Sequence, residues 1–436
     1  MSNLLRSHAR AIWDAAVDFV RPGPRVRSRL ADLDNLRSAP RILVLGAGKA
    51  GAAMAEAVED ALADRLDTVE GIVNVPANAV KPLKKIRLHA ARPGATNFPT
   101  AEGVAGAQEM LRLARTAGPK DVALCLFSGG GSALLPAPAE GVTLADKLAV
   151  TKLLHQCGAT INEMNAVRKH LSAIKGGRLA QAFTGHALYS LIISDVIGDP
   201  LDVIASGPTA PDATTFADAL EVLARHRLLD QVAPTVLAHL RCGADGLIPE
   251  TPKSLRTEVF NWIVGTNLQA VCTAEQCAKQ LGYSVLNLGS DIEGETRHIA
   301  AVHAALVRAI RYHDGPLRTP VCLVSGGETT VTLSPNSGKG GRNQEFVLAA
   351  LLKLRGWKNI AILSAGTDGE DGPTDAAGAI ADAGTLERAI ALGLEGADYL
   401  RRNDSYHFFQ ATGDLLITGL TQTNVMDVRV ILVGRP

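Results

Sequence analysis

Along the chain, short apolar runs alternate with longer stretches in which apolar residues recur every three or four positions. RILVL (41–45), EGIVNVP (70–76), DVALCLFS (121–128) and HALYSLIIS (186–194) are nearly continuous in aliphatic residues, the pattern of strands buried on both faces. AAMAEAVEDALADRL, TAEGVAGAQEMLRLART and the region 144–182 carry helical spacing instead. So does the opening segment, where Leu5, Ile12, Trp13, Ala16 and Val20 share one face. Strand and helix in alternation predict an α/β protein with parallel sheet.

After SGPTAPDATT (206–215) the character shifts through two helical segments and a mixed stretch. A second series then opens with VFNWIVG and runs through SVLNLG, PVCLVSGG, ETTVTL, the helix QEFVLAALLKL, NIAILSAG and a closing strand DVRVILV. At 436 residues the chain exceeds what one core usually supports. We therefore expect two α/β domains, 1–245 and 246–436. VALCLFSGGGS echoes VCLVSGGET, and IKGGRLA echoes GKGGRNQ, at unequal separations. That pattern suits two related domains and not a repeat array.

Composition narrows the function classes. Lys+Arg and Asp+Glu both number 44, which offers nucleic acid or an anionic membrane no chain-wide attraction. No apolar run approaches the ~18 residues that span a bilayer. The six cysteines form no C-x-x-C pair, so a reduced, cytoplasmic protein without a structural metal cluster is expected. Whether the chain forms a homo-oligomer is left open. His89, His155, His170 and His407 show no partner spacing and read as structural.

The loops between the apolar runs carry the candidate chemistry. GAGKAG (46–51) matches G-x-G-x-x-G between strand and helix, and Gly46 and Gly48 would let a pyrophosphate approach the backbone. The next strand offers Asn74 where NAD binding wants an acid, and Lys49 suits neutralisation of a phosphoryl group. SGGGS, with Ser128, Gly129, Gly130, Gly131 and Ser132, could aim several N–H groups at one anion. It lacks the spacing of a nucleophile elbow. Asp195 ends a strand in SDVIGDP, where a carboxylate could hold Mg2+ or accept a hydroxyl proton. Arg168, Lys169, Lys175 and Arg178 lie on one basic segment, and Arg342 in GKGGRNQEF could clamp a carboxylate or phosphate.

AGTDGEDGPTDAAGA (365–379) gathers Asp368, Glu370, Asp371 and Asp375 after a strand and before an alanine-rich segment expected to be helical. An EF-hand fails, because its later ligand positions hold Gly372, Pro373 and Ala379. Both a solvated turn and a divalent-metal loop fit. Anion nests, Lys49 and Arg342 as cations, and carboxylates for a metal together are what phosphoryl transfer needs.

GAGKA, SGGGSALL, NAVRKHLSAIKGGRLA, SDVIGDPLDVIASGPT, SGGETTVTL, GGRNQEF, AGTDGEDGPTDAAGA and TNVMDV occur in the order found in the glycerate kinases with a C-terminal MOFRL domain. The chain resembles that family along nearly its whole length. The resemblance implies a Rossmann-like N-terminal parallel sheet with helices on both faces, a smaller C-terminal α/β domain, and an active site between them. It implies ATP- and Mg2+-dependent phosphorylation of D-glycerate, most often to 2-phosphoglycerate. By motif it carries over Lys49, Asp195, Glu328, Arg342, Asp368 and Asn424. Lys49 and Arg342 fall to substrate and phosphoryl charge, and Glu328 and Asp368 to metal or nucleotide. Asp195 falls to metal or to the hydroxyl proton. Lys169 joins the nucleotide- or substrate-binding set. Two places depart from the family pattern: Ala91-Arg92-Pro93 for Gly-His-Pro, and GLTQTNVMD, where Leu420, Gln422 and Met426 replace Pro, Gly and Asn. The alternatives are an NAD(P)H-dependent hydroxypyruvate reductase and a nucleotide-binding sensor without turnover.

Overall fold

The protein, in a computed structural model, is described over residues 2–94, 98–313, 315 and 317–435. It forms two compact units, 22–264 and 1–21 together with 265–436.

The first unit is built on β1 (Ile42–Ala47), β2 (Val69–Pro76), β3 (Ile86–Arg92), β4 (Val122–Phe127), β5 (Ala187–Ile193) and β6 (Glu258–Gly265), in the order β3-β2-β1-β4-β5-β6. The first five pair in parallel. β1, β4 and β5 are buried at every position, in keeping with their largely apolar sequences. Helices such as Gly51–Ala61 and Ala101–Arg115 make the crossovers. Leu45, Cys125, Phe127, Leu134 and Ile192 lie in one buried cluster.

The second unit has β7 (Ser284–Asn287), β8 (Val321–Gly327), β9 (Ile360–Gly366), β10 (Gly378–Asp382), β11 (Leu415–Leu416) and β12 (Asp427–Val433), ordered β11-β10-β9-β12-β8-β7. β12 runs antiparallel to both β8 and β9, so this sheet is mixed. Phe346, Leu348 and Leu351 of the helix Arg342–Lys353 pack on Ile362 and Ile431 of the sheet.

Four expectations change. VFNWIVG does not open the second series: as β6 it closes the edge of the first sheet, so the division falls after 264 and not at 245. The opening helix Ser2–Phe19 belongs with the second unit, where Trp13 Nε1 donates to Ala365 O at 3.4 Å. ETTVTL is not a strand. Only Thr330 makes a bridge there, and Thr332 gives its N–H and hydroxyl to the Glu295 carboxylate at 3.1 and 2.9 Å. The alanine-rich segment after the acidic loop is β10, antiparallel to β9. Its small residues serve close strand packing, since a Cβ on Gly378 would stand 2.0 Å from Ser364 O.

Candidate active site

In the first unit the strand order reverses between β1 and β4, the point where open α/β sheets bind ligands beyond their carboxyl ends. The two glycine loops leave from those ends and are knit together. Ser128 N donates to Ala47 O at 3.1 Å, Lys49 N to Gly129 O at 2.9 Å, and Ala50 N to Ser128 Oγ at 3.0 Å. Gly48 has φ 150°, and a Cβ there would lie 2.0 Å from Ser128 Oγ. The close approach of the two loops depends on this glycine. Lys49 is half-buried. Asn74 is fully buried and turned into the fold, with Nδ2 donating to Gly103 O and Leu134 O at 3.2 and 2.7 Å.

The structure thus brings together Gly46, Gly48, Lys49, Ser128, Gly129, Gly130, Gly131 and Ser132, with Asp195 beside them. It also qualifies the anion nest. Gly130 N donates to Asp195 Oδ2 at 3.2 Å, and Gly131 N turns back to Ser128 O at 3.1 Å. With Ser128 N on Ala47 O, three of the expected donors are therefore engaged by the chain itself.

Behind the loop lies a group of cations. Lys169, 2% exposed, is paired with Asp202 and Asp212 at 3.0 and 3.2 Å. Lys175 donates to Ser132 O, Ser132 Oγ and Ala205 O at 3.0, 2.9 and 3.0 Å. Burial, then the neighbouring Arg168, Lys147 and Lys169, push its amine well below the ordinary lysine range. Lys147 donates to Leu171 O at 2.9 Å and is lowered to about 7 by burial and by Arg168. Arg168, half-buried, donates to Ser132 Oγ and, at 3.3 Å, to Asn165 Oδ1. Ser206 Oγ lies 3.0 Å from Ser132 Oγ and 3.3 Å from Asn165 Oδ1. Ala205 and Ser206, both buried, hold left-handed φ of 51° and 61°. Strain of this kind persists only where surrounding contacts enforce it.

In the second unit the sequence-selected Arg342 opens the helix Arg342–Lys353. Its Nε and Nη2 donate to the two oxygens of Asp427 at 2.7 and 3.0 Å, and Nη1 pairs with Glu328 at 2.9 Å. The fork expected for a ligand is occupied here by Asp427. Burial opposes the Arg342 charge, but Asp427 and Glu328 outweigh it and raise its pKa. Fully buried Asp427 also accepts from Asn343 Nδ2 at 2.8 Å and pairs with Arg429 at 3.4 Å. Despite burial, Arg342 keeps its carboxyl below the ordinary range.

The acidic loop resolves into separate parts. Asp371 is buried and caps the same helix, accepting from Asn343 N and Gln344 N at 3.0 and 2.9 Å. Burial raises it to about 6, against the lowering effect of those N–H groups and of Arg342. Asp375 is exposed and accepts from the Tyr406 hydroxyl at 2.7 Å. Asp368 is half-buried. Its Oδ1 accepts from Glu370 N at 3.1 Å, and its carbonyl accepts from Thr421 N at 3.2 Å. Asn424 Oδ1 accepts from Met426 N at 3.3 Å.

The three carboxylates expected to bind metal are divided, with Asp195 in the first unit and Glu328 and Asp368 in the second. Among the described residues no group of three or more His, Cys, Asp or Glu side chains is placed to hold a metal ion. Magnesium does not demand one, because it usually takes one or two carboxylates and completes its shell with water and phosphate oxygens.

Asn165, Ser206, Asn343 and Asp427 sit at the centre of these networks without having been singled out from the motifs. Asp427 alone left a trace in the sequence, as an acid opening the apolar run DVRVILV.

A two-unit α/β protein with glycine loops at a sheet reversal and a buried Arg–Asp network is the class these features define. Residues 8–241 match the profile of a domain of unknown function, DUF4147, and residues 321–427 match the MOFRL family. A protein of Agrobacterium vitis that carries the provisional name hydroxypyruvate reductase is 41% identical over 98% of this chain and 94% of its own. The D-glycerate 2-kinase of Thermotoga maritima is 36% identical over 98% of both chains. The crystal structure of glycerate kinase from Thermotoga maritima superposes with a TM-score of 0.87 at 34% identity, covering 99% of this chain and all of that one. The chain belongs to the MOFRL glycerate kinase family.

Proposed function

We propose that the protein is a glycerate kinase that uses ATP and Mg2+ to phosphorylate D-glycerate to 2-phosphoglycerate. Full-length relatedness to glycerate 2-kinases supports the reaction class. One observation separates it from the reductase reading. At the end of β2, where a dinucleotide fold places a ribose-binding acid, Asn74 is buried and spends its amide on two backbone carbonyls.

In this reading the C2 hydroxyl oxygen attacks the terminal phosphorus of ATP, the bond to the ADP oxygen breaks, and the hydroxyl proton passes to a carboxylate. We assign Asp195 to that proton, since it lies just past the carboxyl end of β5 beside the glycine loop. Lys49 offsets charge on the transferred group. Arg342 reaches an anion by giving up Glu328, the more exposed of its two partners. Asp368, Asn424 and Lys169 are the remaining assignments, and Mg2+ supplies neutralisation of phosphate charge when bound. No described helix is long and apolar enough to cross a membrane, and the six cysteines are free. Both fit the cytoplasmic location we assign.

Phosphorus NMR of purified protein with D-glycerate, ATP and Mg2+ tests the proposal. A 2-phosphoglycerate resonance that disappears with EDTA is expected. Oxidation of NADH by hydroxypyruvate without any phosphoglycerate would overturn it.

A further inference from the structure

The charge on the first unit's basic segment is unevenly compensated. Asp202 and Asp212 both serve Lys169. Lys175 has three hydrogen-bond acceptors, none of them charged, and Lys147 has a backbone carbonyl. A guanidinium cannot shed its proton to escape burial. Arg168 therefore keeps its charge in a site where burial opposes it. Among the described residues its partners are Ser132 Oγ and Asn165 Oδ1, and no carboxylate lies within ion-pair distance. A partly buried cation without a counter-charge is costly and invites an anion.

The hydrogen bonds around it have a fixed direction. Ser132 Oγ accepts from Arg168 and Lys175, which fills both of its lone pairs. Its own proton must then go to Ser206 Oγ, and the Ser206 proton to Asn165 Oδ1. This chain is held against the left-handed turn at Ala205 and Ser206, whose Ala205 carbonyl Lys175 also grips. Of the five guanidinium N–H groups, these contacts place two. The Gly130 and Gly131 amides are already engaged, so beside Ser132 the positive potential comes from Arg168.

We propose that Arg168 binds the carboxylate of the hydroxyacid acceptor as a bidentate pair beside the Ser132 and Ser206 hydroxyls, and that Lys175 is the positioning residue holding those hydroxyls and the strained turn. The planar fork matches a carboxylate, and the one lone pair left on Ser206 Oγ can accept from a hydroxyl of the acid. This inference rests on the glycerate kinase reading.

The test compares wild type with Arg168→Gln and Arg168→Lys, varying D-glycerate and ATP separately in steady-state assays. Arg168→Gln should raise KM for glycerate roughly 30-fold or more, the scale of a lost charge-assisted pair, and leave KM for ATP within about 2-fold. Arg168→Lys, which keeps the charge and loses the fork, should fall between. Melting temperatures and calorimetric titration of D-glycerate without nucleotide exclude misfolding and read binding apart from turnover. Unchanged glycerate affinity in folded Arg168→Gln would overturn the proposal while the kinase reading stood. A rise confined to KM for ATP would assign Arg168 to phosphate and overturn it equally. Wild type that neither binds nor phosphorylates glycerate would remove both.

Discussion

The two units carry clusters of similar chemistry with opposite balance. Around Ser132 four cations, Lys147, Arg168, Lys169 and Lys175, face two carboxylates, both of which serve Lys169. Around Asp427, Arg342 and Arg429 are answered by Asp427 and Glu328, with Asp371 close by on the helix cap. In the second network each of these cations meets a carboxylate, and the ion pairs tie β12, the end of β8 and the helix Arg342–Lys353 together. The first is open: Arg168 has no carboxylate partner among the described residues, burial lowers the pKa of Lys147 and Lys175, and a left-handed turn lies beside them. A balanced cluster leaves no buried charge unanswered, so that removing one partner is costly, whereas an unbalanced one reaches balance when an anion arrives.

The largest effect expected from this contrast is on turnover. Lys49→Ala removes a half-buried cation from the knit glycine loops without touching the backbone bonds that hold them. We expect kcat to fall by roughly 10^3-fold with a melting temperature within about 2 °C of wild type. Activity within 10-fold of normal would remove Lys49 from the reaction. The next largest is on stability. Asp427→Asn leaves Arg342 and Arg429 facing each other without their shared counter-charge, which should cost about 3–5 kcal/mol. Calorimetry should show the second unit melting roughly 10 °C lower. A shift under about 2 °C would mean that this network is not scaffold, and the contrast between the units would fail.

Much of this was legible in the sequence, and what was not has identifiable causes. The mainly apolar strands β1, β4 and β5 and the loops GAGKAG and SGGGS could be read because a doubly buried strand is nearly continuous in apolar residues. β10 was hidden because GAIAD owes its small residues to a neighbouring strand, a requirement that composition cannot distinguish from helix propensity. The unit boundary was missed because VFNWIVG looks the same at the edge of either sheet. Lys49 and Arg342 stood out as cations in glycine loops. That Asp427 occupies the fork of Arg342, and that Asp195 takes an amide of the SGGGS loop, are pairings between distant segments that no local pattern encodes. The acidic loop showed its charges but not their separate tasks, since Asp371 is inside and Asp375 outside.

Asp371 sharpens the claim that the second network is structural. The unfolded chain releases this proton near 3.8 and the folded chain near about 6. Between those values the native state binds more protons, so stability falls as pH rises. The contribution is whole below the lower value and gone above the higher one. Wild type minus Asp371→Asn should therefore lose on the order of 2 kcal/mol between pH 4 and 6.5, read from urea midpoints across that range. A flat difference would place the Asp371 proton elsewhere.

The smallest effect concerns strain in the second unit, which also has non-glycine residues in the left-handed region. Gln422 stands at φ 62° and Met426 at φ 66°, on the loop that leads into Asp427. They differ in burial: Gln422 is exposed, while Met426 is 3% exposed. Gln422→Gly thus removes the backbone penalty with little packing to lose. The penalty is about 1–2 kcal/mol, and the extra freedom of glycine in the unfolded chain returns roughly half of it. A net gain of about 0.5–1 kcal/mol is expected in chemical denaturation. Met426→Gly relieves the same penalty but strips a buried side chain, and the loss of about 2 kcal/mol or more of burial should win. If both substitutions stabilised, backbone strain and not packing would set the stability of this loop. If both destabilised, positive φ at Gln422 would carry no penalty worth relieving, and the left-handed turn at Ala205 and Ser206 would lose its standing as a sign of enforced strain.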